Sequence, residues 1–258
     1  MTGTSLRHVF SASPHHEARK NGLAPNILLL HYTDMSSAEA ARLWLCAAES
    51  CVSCHYLVDE AGTITQMVDE ERRAWHAGAS NWRGLEDINS ASIGIEVHNV
   101  GHKAGYPAFP EVQMSAVLSL CQDICRRHQI RPERVLAHSD VAPGRKIDPG
   151  EKFDWRLLHE QGVGHWVEPV AIAGGTFLQE GDHGDAVAAL QTALQLYGYG
   201  IEVTGRFDGR CRQVVEAFQR HFRPLRVDGV ADQSTIETLF KLASSVPLAS
   251  GVNSSGTV

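Results

Sequence analysis

The sequence contains little lysine and no basic cluster. Only five of its 23 basic residues are lysines, and 30 acidic residues give a formal net charge of −7. A protein that binds nucleic acid through its phosphates needs several cationic contacts on one face. Because the basic residues never form a stripe, nucleic acid is not an expected partner.

Long apolar runs are also missing. No stretch of 18 apolar residues occurs, so we expect no membrane-spanning helix. The first 20 residues lack the apolar segment of a secretory signal, which predicts a cytoplasmic location. Export to the periplasm or cell wall without a cleaved signal is the alternative. The six cysteines are even in number, but a chain of 258 residues has enough core to fold without a disulfide framework.

Composition divides the chain near residue 170. All five tryptophans precede this point and a glycine-containing stretch follows it, so we expect a linker at about 167–177. The sequence predicts a first domain over 1–170 and a helical domain over 177–243. The Ser- and Gly-rich segment over 244–258 shows no periodicity and is predicted to be a disordered tail.

In the first domain, predicted strands alternate with helices. An apolar run over Ile27–Leu30 and alternating residues over Ser92–Asn99 predict strands. Pro110 precedes a predicted amphipathic helix over Glu111–His128. A shorter helix is expected to begin at a capping box of Ser36 and Glu39 and to have one apolar face, formed by Ala40, Leu43, Trp44 and Ala47. This alternation predicts an α/β fold with a mixed central sheet flanked by helices.

The second domain has three short amphipathic patterns and an imperfect internal repeat. Val203, Gly205 and Asp208 recur 24 residues later in the sequence, as Val227, Gly229 and Asp232. Each glycine permits a turn at positive φ, and each aspartate is placed to cap the helix that follows. We therefore expect a small all-α domain of three helices.

Histidines and carboxylates near predicted strand ends are the candidate catalytic and metal-binding residues of this sequence. The GxSxG, P-loop, GxGxxG and HExxH motifs are all absent. His31 follows the predicted strand Ile27–Leu30, His138 follows Val135–Ala137, and Asp148 comes ten residues after His138. Two imidazoles and one carboxylate are one way to hold a catalytic zinc ion while a fourth position stays open for water.

Two more residues have suitable chemistry for hydrolysis. Glu96 projects from the strand face opposite Ile93 and Ile95, which makes it a candidate general base. Lys146 lies two residues before Asp148 and is a candidate to stabilise a developing oxyanion. These residue types make hydrolysis plausible without identifying a substrate.

Four segments resemble the zinc-dependent N-acetylmuramoyl-L-alanine amidases of the type-2 amidase family. They are LLLHYTDM, CVSCHYLVDEAGTITQMVDEERRAWHAG, SIGIEVHN and HSDVAPGRKIDPGEKFDW, and they keep the family's order and spacing. The resemblance implies hydrolysis of the amide bond between the lactyl group of N-acetylmuramic acid and L-alanine. It also implies peptidoglycan or a muropeptide as the partner, in cell-wall turnover or recycling.

The resemblance assigns roles to five residues. It implies that His31, His138 and Asp148 bind one zinc ion, that Glu96 is the catalytic carboxylate, and that Lys146 is the catalytic lysine. The phage and animal branches of the family usually have cysteine as the third ligand. The aspartate therefore places this chain with the bacterial branch.

The second domain resembles the type-1 peptidoglycan-binding domain in the segments GDHGDAVAALQTALQL, VTGRFDGRCRQVVEAFQRHF and VDGVADQSTIETLF. It departs from that pattern at Cys211, where a small hydroxyl residue is common. The resemblance implies wall anchoring by a separate module. Deletion from about residue 177 is therefore expected to preserve hydrolysis of soluble muropeptides.

Two residues are candidate substrate contacts. His76, in the segment AWHAG, is expected to contact substrate, to orient a zinc ligand, or only to hold a loop. Arg73 has a planar guanidinium suited to a stem-peptide carboxylate, although an ordinary salt bridge is the favoured interpretation.

Two other functions stay open at this point. The chain could recognise peptidoglycan without cutting it, but the presence of all three ligand types argues against that hypothesis. It could also be a zinc endopeptidase that cuts within stem peptides. Both reactions are amide hydrolyses, so only the family resemblance favours the bond between sugar and peptide.

Overall fold

The computed structural model describes residues 2–246, in which ten strands and eight α-helices are present. The strands are β1 Val9–Phe10, β2 His16–Ala18, β3 Ile27–Tyr32, β4 Tyr56–Val58, β5 Ile64–Gln66, β6 Arg72–Ala74, β7 Ser92–Val97, β8 Val135–Ala137, β9 Phe177–Leu178 and β10 Ala231–Asp232. The helices are α1 Ala38–Leu45, α2 Ile88–Ala91, α3 Glu111–His128, α4 His138–Val141, α5 Trp155–Glu160, α6 Asp185–Tyr197, α7 Gly209–Phe222 and α8 Gln233–Ser245.

Six strands form one mixed sheet in the order β1-β5-β4-β7-β3-β8. Strands β4, β7, β3 and β8 are parallel neighbours, whereas β5 runs antiparallel to β4. All six residues of β3 are buried, as expected for a central parallel strand that is covered on both faces. The predicted α/β fold with a mixed central sheet is confirmed.

The strand register places polar side chains in one row across the sheet. His31 in β3 pairs with Glu96 in β7, and Leu30 pairs with Ala137, the last residue of β8. His138 therefore follows β8 one position beyond that pair. Paired residues of neighbouring strands project from the same face, so His31 and Glu96 lie side by side. The carboxyl ends of parallel strands are where open α/β sheets bind their ligands.

The bounds of the helices that pack on the sheet agree with the prediction better than the faces that they bury. The predicted helix Glu111–His128 is confirmed as α3. Helix α1 is capped by the Ser37 hydroxyl, one residue after the predicted start. The prediction that α1 buries Leu43 and Trp44 is wrong: these side chains are 55% and 45% exposed, because the helix packs through Ala41 and Leu45 instead.

Helices α6, α7 and α8 form the helical domain. Asp208 and Asp232 cap α7 and α8 by accepting backbone N–H groups, and Gly205 and Gly229 have φ of 66° and 73°. The predicted domain of three helices and its repeated turn are confirmed, and the two-residue strands β9 and β10 pair antiparallel beside these helices. Helix α8 continues to Ser245, past the predicted start of the tail, and the rest of that predicted tail, from 247 to 258, lies outside the described residues.

No helix within residues 2–246 is both long and apolar enough to span a membrane.

The helical domain packs directly on the first domain. The Trp82 side chain is 1% exposed, and the centroid of its ring lies 5.0 Å from the centroid of the Tyr199 ring. Gly198 packs so closely on Trp82 that a Cβ at this position would lie 2.5 Å from the indole. The Trp155 and His221 rings are stacked, with their centroids 3.8 Å apart. One continuous set of buried apolar residues therefore spans both domains.

The segment before the helical domain is fixed to it as well. The Val170 backbone N–H donates to the Thr238 hydroxyl at 3.0 Å, and the Val170 carbonyl accepts from the Ser234 hydroxyl. Both partners belong to α8. Part of the predicted linker therefore lies against the helical domain through specific hydrogen bonds.

Glu70 joins the sheet to α3 through a buried ionic network. Its carboxylate is 1% exposed and accepts hydrogen bonds from Arg127 at 2.7 Å, His128 at 2.6 Å and Tyr56 at 2.6 Å. Burial alone would raise the pKa of Glu70, but these donors lower it to about 2. The ionised carboxylate therefore stabilises the fold.

We expect Glu70→Gln to lower the free energy of unfolding by about 3 kcal/mol near neutral pH. A depressed pKa gives stability that is present above the unfolded value of 4.5 and is lost as pH falls toward about 2. Urea unfolding at about pH 7 and about pH 3 measures this effect. Exposed Glu71 provides the control, since Glu71→Gln should change stability by less than about 0.5 kcal/mol. A Glu70→Gln deficit of equal size at both pH values would contradict the assignment.

Candidate active site

Three side-chain atoms converge at the carboxyl end of the sheet. His31 Nδ1 lies 2.9 Å from His138 Nδ1 and 3.2 Å from Asp148 Oδ2, and His138 Nδ1 lies 2.9 Å from the same Asp148 oxygen. The three residues are 1%, 3% and 6% exposed. This group, called the His-His-Asp group below, can hold a metal ion.

The other nitrogen of each ligand histidine is already engaged. His138 Nε2 lies 3.0 Å from the Ala77 carbonyl, which can only accept, so Nε2 carries the proton. His31 Nε2 lies 2.9 Å from His76 Nδ1 and is placed to donate to it. These partners leave Nδ1 of both rings with a free lone pair, as metal ligation requires.

His76 lies behind His31 as its orienting partner. Its Nε2 lies 3.3 Å from the Ser92 hydroxyl, which itself donates to the Ile88 carbonyl at 2.7 Å. Gly94 makes room for the imidazole, since a Cβ there would lie 2.7 Å from the His76 ring. Of the three predicted roles for His76, the geometry supports orientation of His31, while the ring also lines the cleft where substrate would bind.

Cys54 forms a second possible ligand group with His31 and His76. Metal binding requires a thiolate. Burial raises the pKa of the Cys54 thiol well above its usual value, so the thiol stays protonated. This second group is therefore the poorer metal site of the two.

Charge within the His-His-Asp group favours a cation. Burial first, and then His138, lower the pKa of His31 to about 4, so its imidazole is neutral near pH 7. Burial alone would raise the pKa of Asp148, but His138 and His31 hold it well below its usual range. The neutral imidazole of His31 and the ionised carboxylate of Asp148 therefore suit a positively charged metal ion.

Glu96 faces the same cleft with an unsatisfied carboxylate. Its Oε2 is buried and has no hydrogen-bond partner among the described residues. Burial raises the pKa of Glu96 well above its usual value, the Asp148 charge adds to this rise, and Lys146 opposes it. A carboxyl with a raised pKa and a free oxygen is suited to accept and return a proton.

The cleft holds about 460 Å³ and is lined by all five predicted ligand and catalytic residues. Lys146 is half-buried there and makes no ion pair within 4 Å among residues 2–246. Trp44 and Trp75 also line the cleft, and the sequence did not indicate this role. An exposed tryptophan on an amphipathic helix would have been a signal for a ligand contact, but the sequence pattern assigned Trp44 to the buried face of α1.

Arg73 lies apart from this cleft. Its guanidinium, 13% exposed, pairs with Glu17 at 2.6 Å and with Asp87 at 3.0 Å. Arg73 is absent from the cleft lining, and two carboxylates already occupy its donors. The structure thus supports the salt-bridge interpretation that the sequence favours.

Fold and site together define a hydrolase with a buried metal-ligand group beside an unpaired carboxylate. The chain belongs to the N-acetylmuramoyl-L-alanine amidase family, whose model matches residues 21–151. A peptidoglycan binding domain family matches residues 183–239. The chain is therefore an amidase of the type-2 family with a C-terminal peptidoglycan-binding domain, as the sequence predicts.

Named relatives agree with this assignment. N-acetylmuramoyl-L-alanine amidase AmiD of Escherichia coli (strain K12) is 39% identical over 229 residues, which cover 81% of this chain and 79% of AmiD. The 1,6-anhydro-N-acetylmuramyl-L-alanine amidase AmpD of Enterobacter cloacae is 31% identical over 170 residues, or 59% of this chain and 88% of AmpD.

Solved structures extend the likeness to both domains. The E. coli AmiD complex with the substrate anhydro-N-acetylmuramic acid-L-Ala-D-gamma-Glu-L-Lys has a TM-score of 0.73 at 35% identity, covering 88% of this chain and 93% of AmiD. AmpDh3 from Pseudomonas aeruginosa in complex with anhydromuramic pentapeptide has a TM-score of 0.70 at 30% identity. The match covers 95% of this chain and 97% of AmpDh3.

Proposed function

We propose that this amidase is zinc-dependent and that anhydro-muropeptides are its substrates. One observation carries the proposal: three buried ligand atoms converge within 3.2 Å of one another, and Glu96 presents an unpartnered carboxylate oxygen to the same cleft. A purely structural cluster would leave no reason to bury an unpaired carboxylate beside Asp148.

The His-His-Asp group fits zinc in donor chemistry and in spacing. Tetrahedral zinc takes nitrogen and oxygen ligands at about 2.0–2.1 Å, which places the ligand atoms roughly 3.3 Å apart. The observed separations of 2.9–3.2 Å are close to that value. When bound, zinc supplies a Lewis acid for the amide carbonyl and makes a water molecule acidic enough to attack near neutral pH.

Glu96 moves the proton in this proposal. It accepts a proton from the attacking water as the new bond between oxygen and the carbonyl carbon forms. It then donates that proton to the nitrogen of L-alanine as the bond between carbon and nitrogen breaks. Water is consumed, and the second water proton, which stays on the new carboxyl group, passes to the amine, so the products near neutral pH are a lactyl carboxylate and a protonated peptide amine. A bound cation would neutralise the Asp148 charge, so Glu96 would ionise more readily than in the metal-free chain.

Lys146 stabilises the charge that develops on the carbonyl oxygen. Its ammonium group lines the cleft and has no carboxylate partner within 4 Å among the described residues. A donor aimed at a developing oxyanion in a partly enclosed site typically lowers the activation free energy by about 3–4 kcal/mol. We therefore assign Lys146 to the oxyanion and Glu96 to the proton.

The substrate proposal rests on the relatives and on the shape of the cleft. Two solved structures of similar proteins contain anhydromuramic peptides, as described above. The cleft of about 460 Å³ combines charged groups with the aromatic rings of Trp44 and Trp75, which suits a ligand that is part sugar and part peptide.

Mass spectrometry of the products tests the function. We expect anhydro-N-acetylmuramyl-tripeptide to give anhydro-N-acetylmuramic acid and the intact tripeptide, with one water added. Sugar that retains L-alanine would instead identify an endopeptidase. Substrate that binds but keeps its mass would identify a recognition protein. Either of these two results would overturn the proposal.

A further inference from the structure

We propose that the helical domain positions the ligand His138 through the buried carboxylate of Asp140. The helical domain would then be part of the metal site's framework, in addition to any contact it makes with the wall. This inference rests on the proposed zinc site. It begins with α4, the single helical turn His138–Val141 that carries the ligand.

A single turn cannot hold its own position. Within α4 the Ala142 N–H donates to the His138 carbonyl at 3.0 Å, and an isolated turn of this kind is unstable in water. The placement of His138 therefore depends on β8, which directly precedes it, and on the groups that contact α4 from outside. The turn is buried throughout, so those groups belong to the protein.

Asp140 attaches this turn to the helical domain. The residue is 0% exposed, and its Oδ2 accepts the Ala137 backbone N–H at 2.8 Å. The same oxygen accepts from His221 Nδ1 at 2.6 Å, and Oδ1 accepts from the Tyr199 hydroxyl at 2.7 Å. Two of the three donors therefore come from the helical domain.

Both donors are held rigidly. His221 is 2% exposed and stacks on the Trp155 ring at 3.8 Å. Tyr199 is 1% exposed and meets the edge of the Trp82 ring at 5.0 Å. A fully buried carboxylate requires such partners, so Asp140 cannot move away from them without a large free-energy cost.

The position of α4 is transmitted to two metal ligands. The link between Asp140 and Ala137 fixes the backbone on either side of His138. The Ser139 N–H donates to the Asp148 carbonyl at 3.0 Å, so a shift of α4 also displaces the third ligand. Tyr199 and His221 are thus positioning residues that act on the metal site without touching it.

Full-length Tyr199→Phe and Tyr197→Phe form a matched pair for the test. Both tyrosines are buried beside Trp82, but the Tyr197 hydroxyl pairs with His165, and only the Tyr199 hydroxyl of the two donates to Asp140. We expect Tyr199→Phe to weaken zinc affinity roughly tenfold, and Tyr197→Phe to change it less than twofold. His221→Gln should weaken zinc affinity by about 10- to 100-fold.

Competition with a chromophoric chelator measures zinc affinity, and thermal melting of the metal-free chains measures stability. Cobalt-substituted protein adds a spectroscopic test, because a displaced His138 should alter the visible absorption of Tyr199→Phe and leave that of Tyr197→Phe unchanged. Wild type and Tyr199→Phe with equal zinc affinity and equal cobalt spectra would overturn this inference alone. A wild-type chain that binds no zinc would overturn the proposed function and this inference together.

Discussion

The Glu96→Gln enzyme is expected to hydrolyse anhydro-muropeptides about 10²- to 10⁴-fold more slowly than the unmodified chain. The amide has nearly the same shape but cannot take the proton from water. Glu96 lies outside the three converging ligand atoms, so the zinc content should stay the same. Steady-state kinetics with metal analysis of the same samples measures both quantities.

Stability gives a second, independent result for Glu96→Gln. Burial raises the pKa of Glu96 in the folded chain, so the folded state binds this proton more tightly than the unfolded state. Stability from that proton is therefore lost as pH rises above the unfolded value of 4.5. The metal-free variant should melt at or above the wild-type Tm near pH 7. Exposed Glu60 supplies the control, since Glu60→Gln should change neither rate nor Tm. An active Glu96→Gln enzyme would remove Glu96 from the mechanism.

Truncation after residue 176 is expected to destabilise the first domain severely. The cut removes both helical-domain donors to Asp140, and loss of a partner from a buried charge costs about 3–5 kcal/mol. It also uncovers Trp82 and Trp155, which are 1% and 4% exposed in the full chain. A domain has only about 5–15 kcal/mol of total stability, so this loss is large.

Circular dichroism melting and kcat/KM on a soluble anhydro-muropeptide measure the effect of that truncation. A control chain that ends at residue 246 retains every contact described above. We expect the shorter chain to lose cooperative melting and most of its activity. This prediction replaces the sequence-based expectation that soluble substrates would still be hydrolysed. An unchanged Tm and kcat/KM in the shorter chain would restore the earlier view of a separable anchor.

Local signals in the sequence predicted most of the fold. Helix α3 has the predicted bounds because Pro110 precedes it and Gln129 ends it in the left-handed region at φ 52°. The prediction for α1 chose the face that contains Leu43 and Trp44, whereas Ala41 and Leu45, which lie four residues apart and share a different helical face, are in the core. Periodicity alone does not decide between two such faces.

The site was predictable where chemistry coincided with strand ends. His31 is the penultimate residue of β3 and His138 directly follows β8, and the family resemblance connected them with Asp148 and Glu96. The strand register that places His31 beside Glu96 is a contact between distant parts of the chain, and no local pattern encodes it.

The features that sequence reasoning missed all depend on such distant contacts. The partners of Arg73 are Glu17 and Asp87, which lie 56 and 14 residues away in the chain. Asp140 and His221 are 81 residues apart, and neither shows a periodic or compositional signal. The change of composition near residue 170 indicated a domain boundary but carried no information about packing across it.

Titration of the metal-free chain with zinc tests the central claim most directly. We expect hydrolysis of anhydro-muropeptide to rise from near zero and to saturate at about one zinc per chain, with a parallel gain of bound metal. Asp148→Ala, which removes one of the three converging ligand atoms, should neither retain zinc at that stoichiometry nor recover activity. Full hydrolysis by the metal-free chain, or full recovery by Asp148→Ala, would contradict the account.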